Sequence, residues 1–274
     1  MSRAKITNKI HRALSRSRYL LRVIVKIRNQ CNAIIGCSVG ESTSIEQNGE
    51  SLLIRALAPT AKYFIDVGAN VGSWSQEFTR LMPPSGQGLA FEPSTPTFEA
   101  LQHNLAVCPN IELVQSALGD KVGQIKFLDN SESSELSHVA MEPFASSLTE
   151  GSARISTIDS ELAARNWPQV DVLKIDTEGY DYLVLKGATE ALRQAKLGVI
   201  QFEYNAPWRE TSSTLRSAIL LLEAFQYKVY LLRSTGLHAV NYDCLGEYFS
   251  YSNYVAVSPR SARLLGNHTR AKFL

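Results

Sequence analysis

Short apolar runs alternate with amphipathic segments through most of this chain. Two of the runs, Val170 to Ile175 and Leu197 to Tyr204, are almost continuously apolar, which is typical of strands buried on both faces of a parallel sheet. The segments between runs repeat apolar residues at the helical spacing, as in Leu215, Ile219 and Leu222. This alternation predicts a doubly wound α/β domain with a mostly parallel, seven-stranded sheet. The predicted strands cover residues 63–67, 89–91, 111–114, 170–175, 197–204, 227–232 and 254–257.

The first 40 residues differ from the rest in charge. They hold nine Lys or Arg and no acid, which leaves 19 basic against 26 acidic residues from position 41 onward, a formal charge of −7. At 100° per residue their apolar and basic side chains separate onto two faces of a helix. The apolar face holds Ile6, Ile10, Ala13, Leu14, Leu20, Leu21, Ile24 and Ile27, and the other face holds Arg12, Arg16, Arg18, Arg22 and Lys26. We therefore predict a basic amphipathic extension over residues 1–45 and one domain over residues 46–274.

Three hypotheses account for this extension. The first is that it packs on the body, the second that it lies on a membrane surface, and the third that it contacts RNA. Tyr19 to Ile27 is too short to span a bilayer, and the segment lacks the cleavage site of a signal peptide. Tyr19 is the single aromatic residue among the arginines, too few to form a row of stacking platforms, so nucleic acid is not the expected partner. Under the membrane hypothesis, we expect a cytoplasmic protein. Its residues 1–28 would contact the anionic inner face of the membrane peripherally.

Composition narrows the class of protein further. The chain has 274 residues, of which 45% are hydrophobic and 20% charged, and these values exclude collagen-like, disulfide-scaffold and wholly disordered proteins. The four cysteines lack any CxxC spacing. A reducing cytosolic compartment is therefore expected.

The most informative motif is a glycine turn after the first predicted strand. The segment FIDVGANVG contains Asp66, Gly68, Asn70 and Gly72, and Glu92 follows twenty residues later at the end of the next strand. A turn of this kind brings backbone close to a ligand, and an acid at the second strand end can accept hydrogen bonds from ribose hydroxyls. The turn reads G-x-N-x-G rather than the dinucleotide fingerprint G-x-G-x-x-G. The combination favours S-adenosylmethionine over a nicotinamide.

A second group of acids follows the later strands. Asp176 and Glu178 lie two residues apart in KIDTEG, and Glu203 ends the apolar run QFEY. Strand ends at this face of an α/β sheet bind ligands, and an acid inside an apolar run is costly unless it is paired or functional. The structural alternative is that Glu178 stabilises a helix N-terminus while Asp176 holds a loop. Asp159 is predicted to cap the helix that follows it.

In order and spacing these segments resemble the FkbM-type methyltransferase family. The resemblance covers about residues 60–205 and rests on FIDVGANVG, AFEPSTPTFEALQHNL, SALGDKVGQIKF, STIDSEL, DVLKIDTEGYDYLVLKGA and VIQFEYN. It implies a class I methyltransferase (Rossmann-like) fold and methyl transfer from S-adenosylmethionine to a hydroxyl oxygen, on a sugar of a glycan or glycolipid or on a natural product. The basic extension and the Ser- and Glu-rich loop 129–150, an expected acceptor-side loop, lie outside the shared pattern.

The resemblance also implies which residues bind and react. The cofactor pattern of the family falls on Asp66, Gly68, Asn70, Gly72 and Glu92, and Ala117 occupies the place expected near the adenine. The K-I-D-x-E-G motif of the family falls on Lys174, Asp176, Glu178 and Gly179.

Two chemical routes stay open for the acceptor hydroxyl. Asp176 is the first candidate for the base that removes or orients its proton, with Glu178 and Glu203 as the others. Alternatively, these acids hold a divalent cation that acidifies the hydroxyl. Two other functions remain as alternatives, namely an RNA methyltransferase that uses the basic extension, and a non-catalytic cofactor-fold module that recruits a partner.

Overall fold

The computed structural model describes residues 14–39, 44–45, 47–129 and 149–270, together with Asn8, His11 and Arg12. Within these residues, helices and strands alternate along the chain. The helices are α1 (Arg18–Val39), α2 (Glu50–Leu57), α3 (Ser73–Leu81), α4 (Thr95–Asn104), α5 (Ile158–Arg165), α6 (Asp181–Lys186), α7 (Thr189–Arg193), α8 (Leu215–Ala224), α9 (Tyr242–Leu245) and α10 (Ala262–Leu265). The strands are β1 (Tyr63–Val67), β2 (Gln87–Phe91), β3 (Ile111–Val114), β4 (Ala117–Leu118), β5 (Gly123–Asp129), β6 (Thr149–Ser156), β7 (Val170–Ile175), β8 (Leu197–Tyr204), β9 (Lys228–Arg233), β10 (Gly236–Ala239), β11 (Ser252–Val257) and β12 (Thr269–Arg270).

The main sheet confirms the doubly wound α/β prediction. Its strand order is β12-β10-β9-β11-β8-β7-β1-β2-β3, and β8, β7, β1, β2 and β3 run parallel. From β1 the chain builds outward in one direction through β2 and β3 and in the other through β7 and β8. The order therefore reverses beside β1, which is where sheets of this class bind ligands, at the carboxyl ends of the strands.

The predicted number of seven strands is wrong, because the main sheet has nine. β9 turns back through a short hairpin into β10, with Arg233 opposite Gly236, and β12 then pairs with β10 at the sheet edge. Neither added strand has the long apolar run by which the sequence marks a buried strand, since β10 has four residues and β12 has two exposed ones.

A smaller sheet lies beside the main one. Its order is β4-β6-β5, with β5 antiparallel to β6 and β4 parallel to it. The predicted loop 129–150 mostly falls between β5 and β6, where residues 130–148 lie outside the described part of the chain. At its ends, residue 129 belongs to β5 and residues 149–150 belong to β6.

The core lies on both faces of the main sheet. On one face Phe64 packs against Trp74 and Phe78 of α3, with ring centroids 5.9 and 4.9 Å away. On the other, Phe202 packs against Trp208 at 6.2 Å. Every residue of β8 is buried, as its continuous apolar run predicts.

Helix α1 forms as the periodicity predicts, but most of it does not pack on the body. Leu20, Ile24 and Ile27 are 39%, 43% and 57% exposed. Ile35 and Val39, near the other end of the helix, pack against the core. Residues 20–27 therefore contradict the hypothesis that the apolar face of this helix is buried against the body. Ile6, Ile10 and Ala13 lie outside the described residues, and no described helix is long and apolar enough to cross a membrane.

The predicted cap at Asp159 is wrong. Thr157 is the residue that caps α5, because its Oγ1 accepts from the Ser160 N–H at 3.1 Å. The Asp159 carboxylate instead accepts from the backbone N–H groups of Glu190 and Ala191, each at 2.8 Å. It thus satisfies two free N–H groups in the first turn of another helix, α7. The sequence around Asp159 does not indicate this partner, because α7 begins thirty residues later.

Candidate active site

The register of the parallel strands brings four strand ends to one edge of the sheet. Val67 lies opposite both Phe91 and Ile175, and Ile175 lies opposite Phe202. The residues that follow, Gly68, Glu92, Asp176 and Glu203, therefore meet at that edge. They line a cavity of about 700 Å³. A cavity of this volume lies within the range of small-molecule and cofactor sites.

The glycine turn forms one wall of the cavity. The N–H groups of Gly68 and Ala69 both donate to the Phe91 carbonyl at 2.9 Å, which ties the turn to β2. Gly68 has a φ of 74°, and a Cβ there would overlap the carbonyl oxygen of Asp176. The position requires glycine on both counts. The backbone of the turn thus reaches the neighbouring strand end without a side chain between them.

Glu92 fixes the shape of this wall. Its two carboxylate oxygens accept from the Asn70 N–H and the Ser94 N–H, both at 3.0 Å, and the residue is 8% exposed. A carboxylate has about four acceptor sites, more than these two backbone donors use. Glu92 can therefore hold the turn and still accept from a ligand hydroxyl.

Lys174 carries a buried positive charge beside the acids. Its Nζ lies 3.0 Å from Asp176 Oδ2 and 3.7 Å from Asp66 Oδ1. Burial alone would lower the pKa of Lys174, but the carboxylates of Asp176, Asp66 and Glu50 together raise it well above its ordinary range. The lysine therefore stays charged and compensates the acids around it.

Asp66 lies behind the cavity wall rather than in it. The residue is fully buried, its Oδ2 accepts from Ser75 Oγ at 2.7 Å, and it is not among the cavity-lining residues. Burial raises its pKa, and the Lys174 charge opposes that rise. Direct contact of Asp66 with a ligand in the cavity is not favoured by this placement. Its charge acts on the site through Lys174.

The three predicted catalytic acids converge. Asp176, Glu178 and Glu203 each place a carboxylate oxygen within 4.8 Å of the others, a spacing that could hold a metal ion. The Asn205 side chain bridges two of them, because its Nδ2 donates to Glu203 Oε1 and, at 3.3 Å, to Glu178 Oε2. Burial, followed by the charges of Asp176 and Glu178, raises the pKa of Glu203 well above its ordinary value. This corner of the cavity can accept a proton or a cation.

The structure places most of the predicted site residues around the same cavity. The cavity-lining ones are Gly68, Asn70, Glu92, Ala117, Asp176, Glu178 and Glu203. Gly72 does not line it. It precedes α3 with a φ of 89°, and a Cβ there would press on Leu101 of α4, so Gly72 serves the packing of the two helices.

Sequence reasoning missed residues that reach the site from outside the motifs. Glu50 comes from α2, is 6% exposed, and accepts from Asn48 Nδ2 at 3.0 Å and from Gln201 Nε2. Phe249 and Tyr251 reach the cavity from the segment before β11. For Phe249 and Tyr251 the one available signal was topological. The strand that follows them, β11, runs antiparallel to β8 and therefore begins at the sheet edge where β8 ends.

Residues 66–229 match the family model described as the methyltransferase FkbM domain, which is more than half of the chain. The chain belongs to the FkbM methyltransferase family. This membership confirms the resemblance drawn from the motifs, and it gives methyl transfer as the class of reaction.

Among curated proteins, the chain is similar to the hexuronic acid methyltransferase AglP of Haloferax volcanii. The two are 29% identical over 181 residues, covering 64% of this chain and 71% of that protein.

Similar solved structures include two further methyltransferases and a fibrillarin. They are the precorrin-6y C5,15-methyltransferase of Geobacter metallireducens (18% identity, TM-score 0.42, 76% of this chain and 87% of that one), the fibrillarin of Methanococcus jannaschii (13%, 0.44, 77% and 75%) and the O-methyltransferase TomG of Streptomyces achromogenes (13%, 0.41, 76% and 79%). Likenesses at this level carry no information about substrate.

A buried acid beside the site gives a prediction about pH. Asp181 is fully buried and accepts from Thr177 Oγ1 at 2.8 Å and from the Glu203 N–H at 3.1 Å. Burial, followed by the charge of Asp176, raises its pKa from 3.8 to about 7. Between pH 3.8 and about pH 7, Asp181 keeps its proton in the folded protein and releases it in the unfolded chain. The contribution of Asp181 to stability is therefore full below pH 3.8 and is lost as pH rises to about 7.

We expect Asp181→Asn to remove this loss, because the amide does not ionise. From acid to neutral pH, the free energy of unfolding of the wild type should fall relative to that of the variant by a few kcal/mol, at about 1.4 kcal/mol per unit of pKa difference. Denaturant titrations at a series of pH values measure it, with the exposed Asp243→Asn as control. Parallel curves for wild type and Asp181→Asn would contradict the assignment.

Proposed function

We propose that this chain transfers a methyl group from S-adenosylmethionine to a hydroxyl oxygen of a sugar in a glycan or glycolipid, with a natural-product hydroxyl as the alternative acceptor. The main support for the proposal is that a single cavity brings together the cofactor-binding and the acidic residues. It is lined by Glu92, by the turn at Gly68 and by the acids Asp176, Glu178 and Glu203. A cofactor wall and a proton-accepting corner are what methyl transfer to a hydroxyl needs. The similarity to a hexuronic acid methyltransferase supports a sugar acceptor.

In this proposal the cofactor lies along the wall formed by β1, β2 and β4. Its ribose hydroxyls donate to Glu92, its adenine lies near Ala117, and its methionine end lies against the turn at Gly68 and Asn70. Asp66 influences the methionine end through the charge of Lys174, 3.7 Å away. The sulfonium carries a positive charge, and the neighbouring acids favour a cation in the cavity.

The acids then act on the acceptor. The hydroxyl oxygen attacks the methyl carbon, the carbon–sulfur bond breaks, and its electron pair stays on sulfur to give S-adenosylhomocysteine. The hydroxyl proton passes to a carboxylate, with Asp176 first and Glu178 and Glu203 as the alternatives. Because the donor is already activated, alignment of oxygen, carbon and sulfur can supply much of the rate.

Glu92→Ala tests the cofactor site. The variant should bind S-adenosylmethionine at least tenfold more weakly, because a hydrogen bond to a charged group contributes about 1.5–3 kcal/mol. Calorimetry on the purified protein measures the affinity, and a melting curve checks that the variant is folded. Glu99→Ala, an exposed acid on the neighbouring helix α4, is the matched control. Equal affinities for the two variants would remove Glu92 from the site.

Asp176→Asn tests the reacting corner. We expect it to lower methyl transfer by about 10²–10⁴-fold, the usual contribution of a positioned base, while cofactor affinity stays close to that of wild type. The assay uses labelled S-adenosylmethionine and the glycolipid fraction of a strain from which the gene is deleted, so that the acceptor is unmethylated. Asp243→Asn should retain full activity.

The same assay separates the two chemical routes. Full activity in EDTA excludes the cation route, and activity lost in EDTA but restored by Mg²⁺ assigns Asp176, Glu178 and Glu203 to a cation. A fully active Asp176→Asn would exclude Asp176 as the base. Tight cofactor binding without transfer to any fraction would favour the non-catalytic alternative.

A further inference from the structure

We propose that helix α1 docks on an anionic membrane surface with its apolar side, which holds Leu20, Ile24 and Ile27, in the lipid. Those side chains are exposed in the protein alone. Their exposed fractions are 39% for Leu20, 43% for Ile24 and 57% for Ile27. Exposed apolar side chains in one contiguous patch mark an interaction site more often than scattered ones do.

The two sides of the helix differ in chemistry. Arg18, Arg22 and Lys26 recur at intervals of four residues and form one stripe, while Leu20, Ile24 and Ile27 lie on the opposite side. A helix with one cationic and one apolar side lies in the plane of a membrane interface, with its charges near the lipid headgroups. No acid is present in the first 40 residues to weaken the attraction to an anionic leaflet.

Other occupants explain fewer of these features. RNA would satisfy the arginines but leave the exposed apolar side chains in water. A second copy of this helix would cover apolar side chains but leave the basic stripe of each helix without an anionic partner, since residues 1–40 hold no acid. An anionic lipid surface satisfies both sides of the helix at once.

The other end of α1 joins the body close to the site. Val39 is fully buried in the core, and Ile45, six positions later, lines the cavity. The helix that would lie on the membrane is thus six positions in sequence from a residue that lines the cavity. If the proposed function holds, this arrangement suits an acceptor carried on a lipid. Membrane docking itself does not depend on that function.

Vesicle flotation of the full chain tests the docking. The protein should float with phosphatidylcholine vesicles that contain phosphatidylglycerol, float much less with pure phosphatidylcholine, and lose binding as salt is raised. Arg18→Gln/Arg22→Gln/Lys26→Gln should lower the partition coefficient about 100-fold, at roughly fivefold per charge. Leu20→Ser/Ile24→Ser/Ile27→Ser should abolish flotation.

The matched control is Val107→Ser/Val122→Ser/Leu220→Ser, which changes three exposed apolar side chains of the body. It should float like wild type. Melting temperature and calorimetry with S-adenosylmethionine are measured on every variant, so that loss of docking is distinguished from failure of the cofactor site. The docking proposal is overturned if the wild type ignores anionic vesicles, or if the α1 apolar variant floats unchanged. It is also overturned if light scattering shows a dimer that the α1 apolar variant converts to a monomer.

Discussion

The site depends on one buried positive charge, that of Lys174. Lys174 lies directly opposite Asp66 in the ladder between β1 and β7, and Asp176 follows the last residue of β7, with its Oδ2 3.0 Å from the Lys174 Nζ. The ammonium lies near both carboxylates, and Lys174 and Asp66 are buried in the sheet. Charges placed there are costly unless they are paired, and removing one partner leaves the others uncompensated. The ion pair thus allows acids to lie at the switch point of the sheet.

Polar residues continue from this pair across the sheet. Gln201 lies opposite Lys174 in β8, and Asn253 of β11 lies opposite Glu203. Helix α2 covers the row with Glu50, which accepts from Gln201. Burial raises the pKa of Glu50, while the Lys174 charge opposes that rise. The polar row therefore ties α2 and β11, on opposite sides of the matched family segment in sequence, to the chemistry at the end of β7.

The sequence predicted the local features well and the long-range ones poorly. The α/β class, the turn at Gly68 and the acids at three strand ends follow from apolar runs and motif spacing, because strand ends of a parallel sheet meet at one edge. Asp66 also belongs to a predicted motif, yet its side chain lies behind the cavity, since sequence does not show that Lys174 intervenes. Glu50 and Tyr251 were missed because they reach the cavity from segments without a motif. The two extra strands, β10 and β12, were missed because they are only four and two residues long and leave no apolar run.

A double-mutant cycle on Lys174 and Asp66 tests most directly whether the buried ion pair organises the site. Lys174→Met, Asp66→Asn and the double variant are compared with wild type by the free energy of unfolding. Lys174→Met should cost about 3–5 kcal/mol, because it leaves the buried Asp66 carboxylate without its positive partner. Asp66→Asn should cost less, because Lys174 keeps Asp176 at 3.0 Å. The double variant should cost less than the two together, with a coupling within the 0.5–3 kcal/mol found for contacting residues. Additive costs would show that the two charges do not depend on each other and would contradict this account.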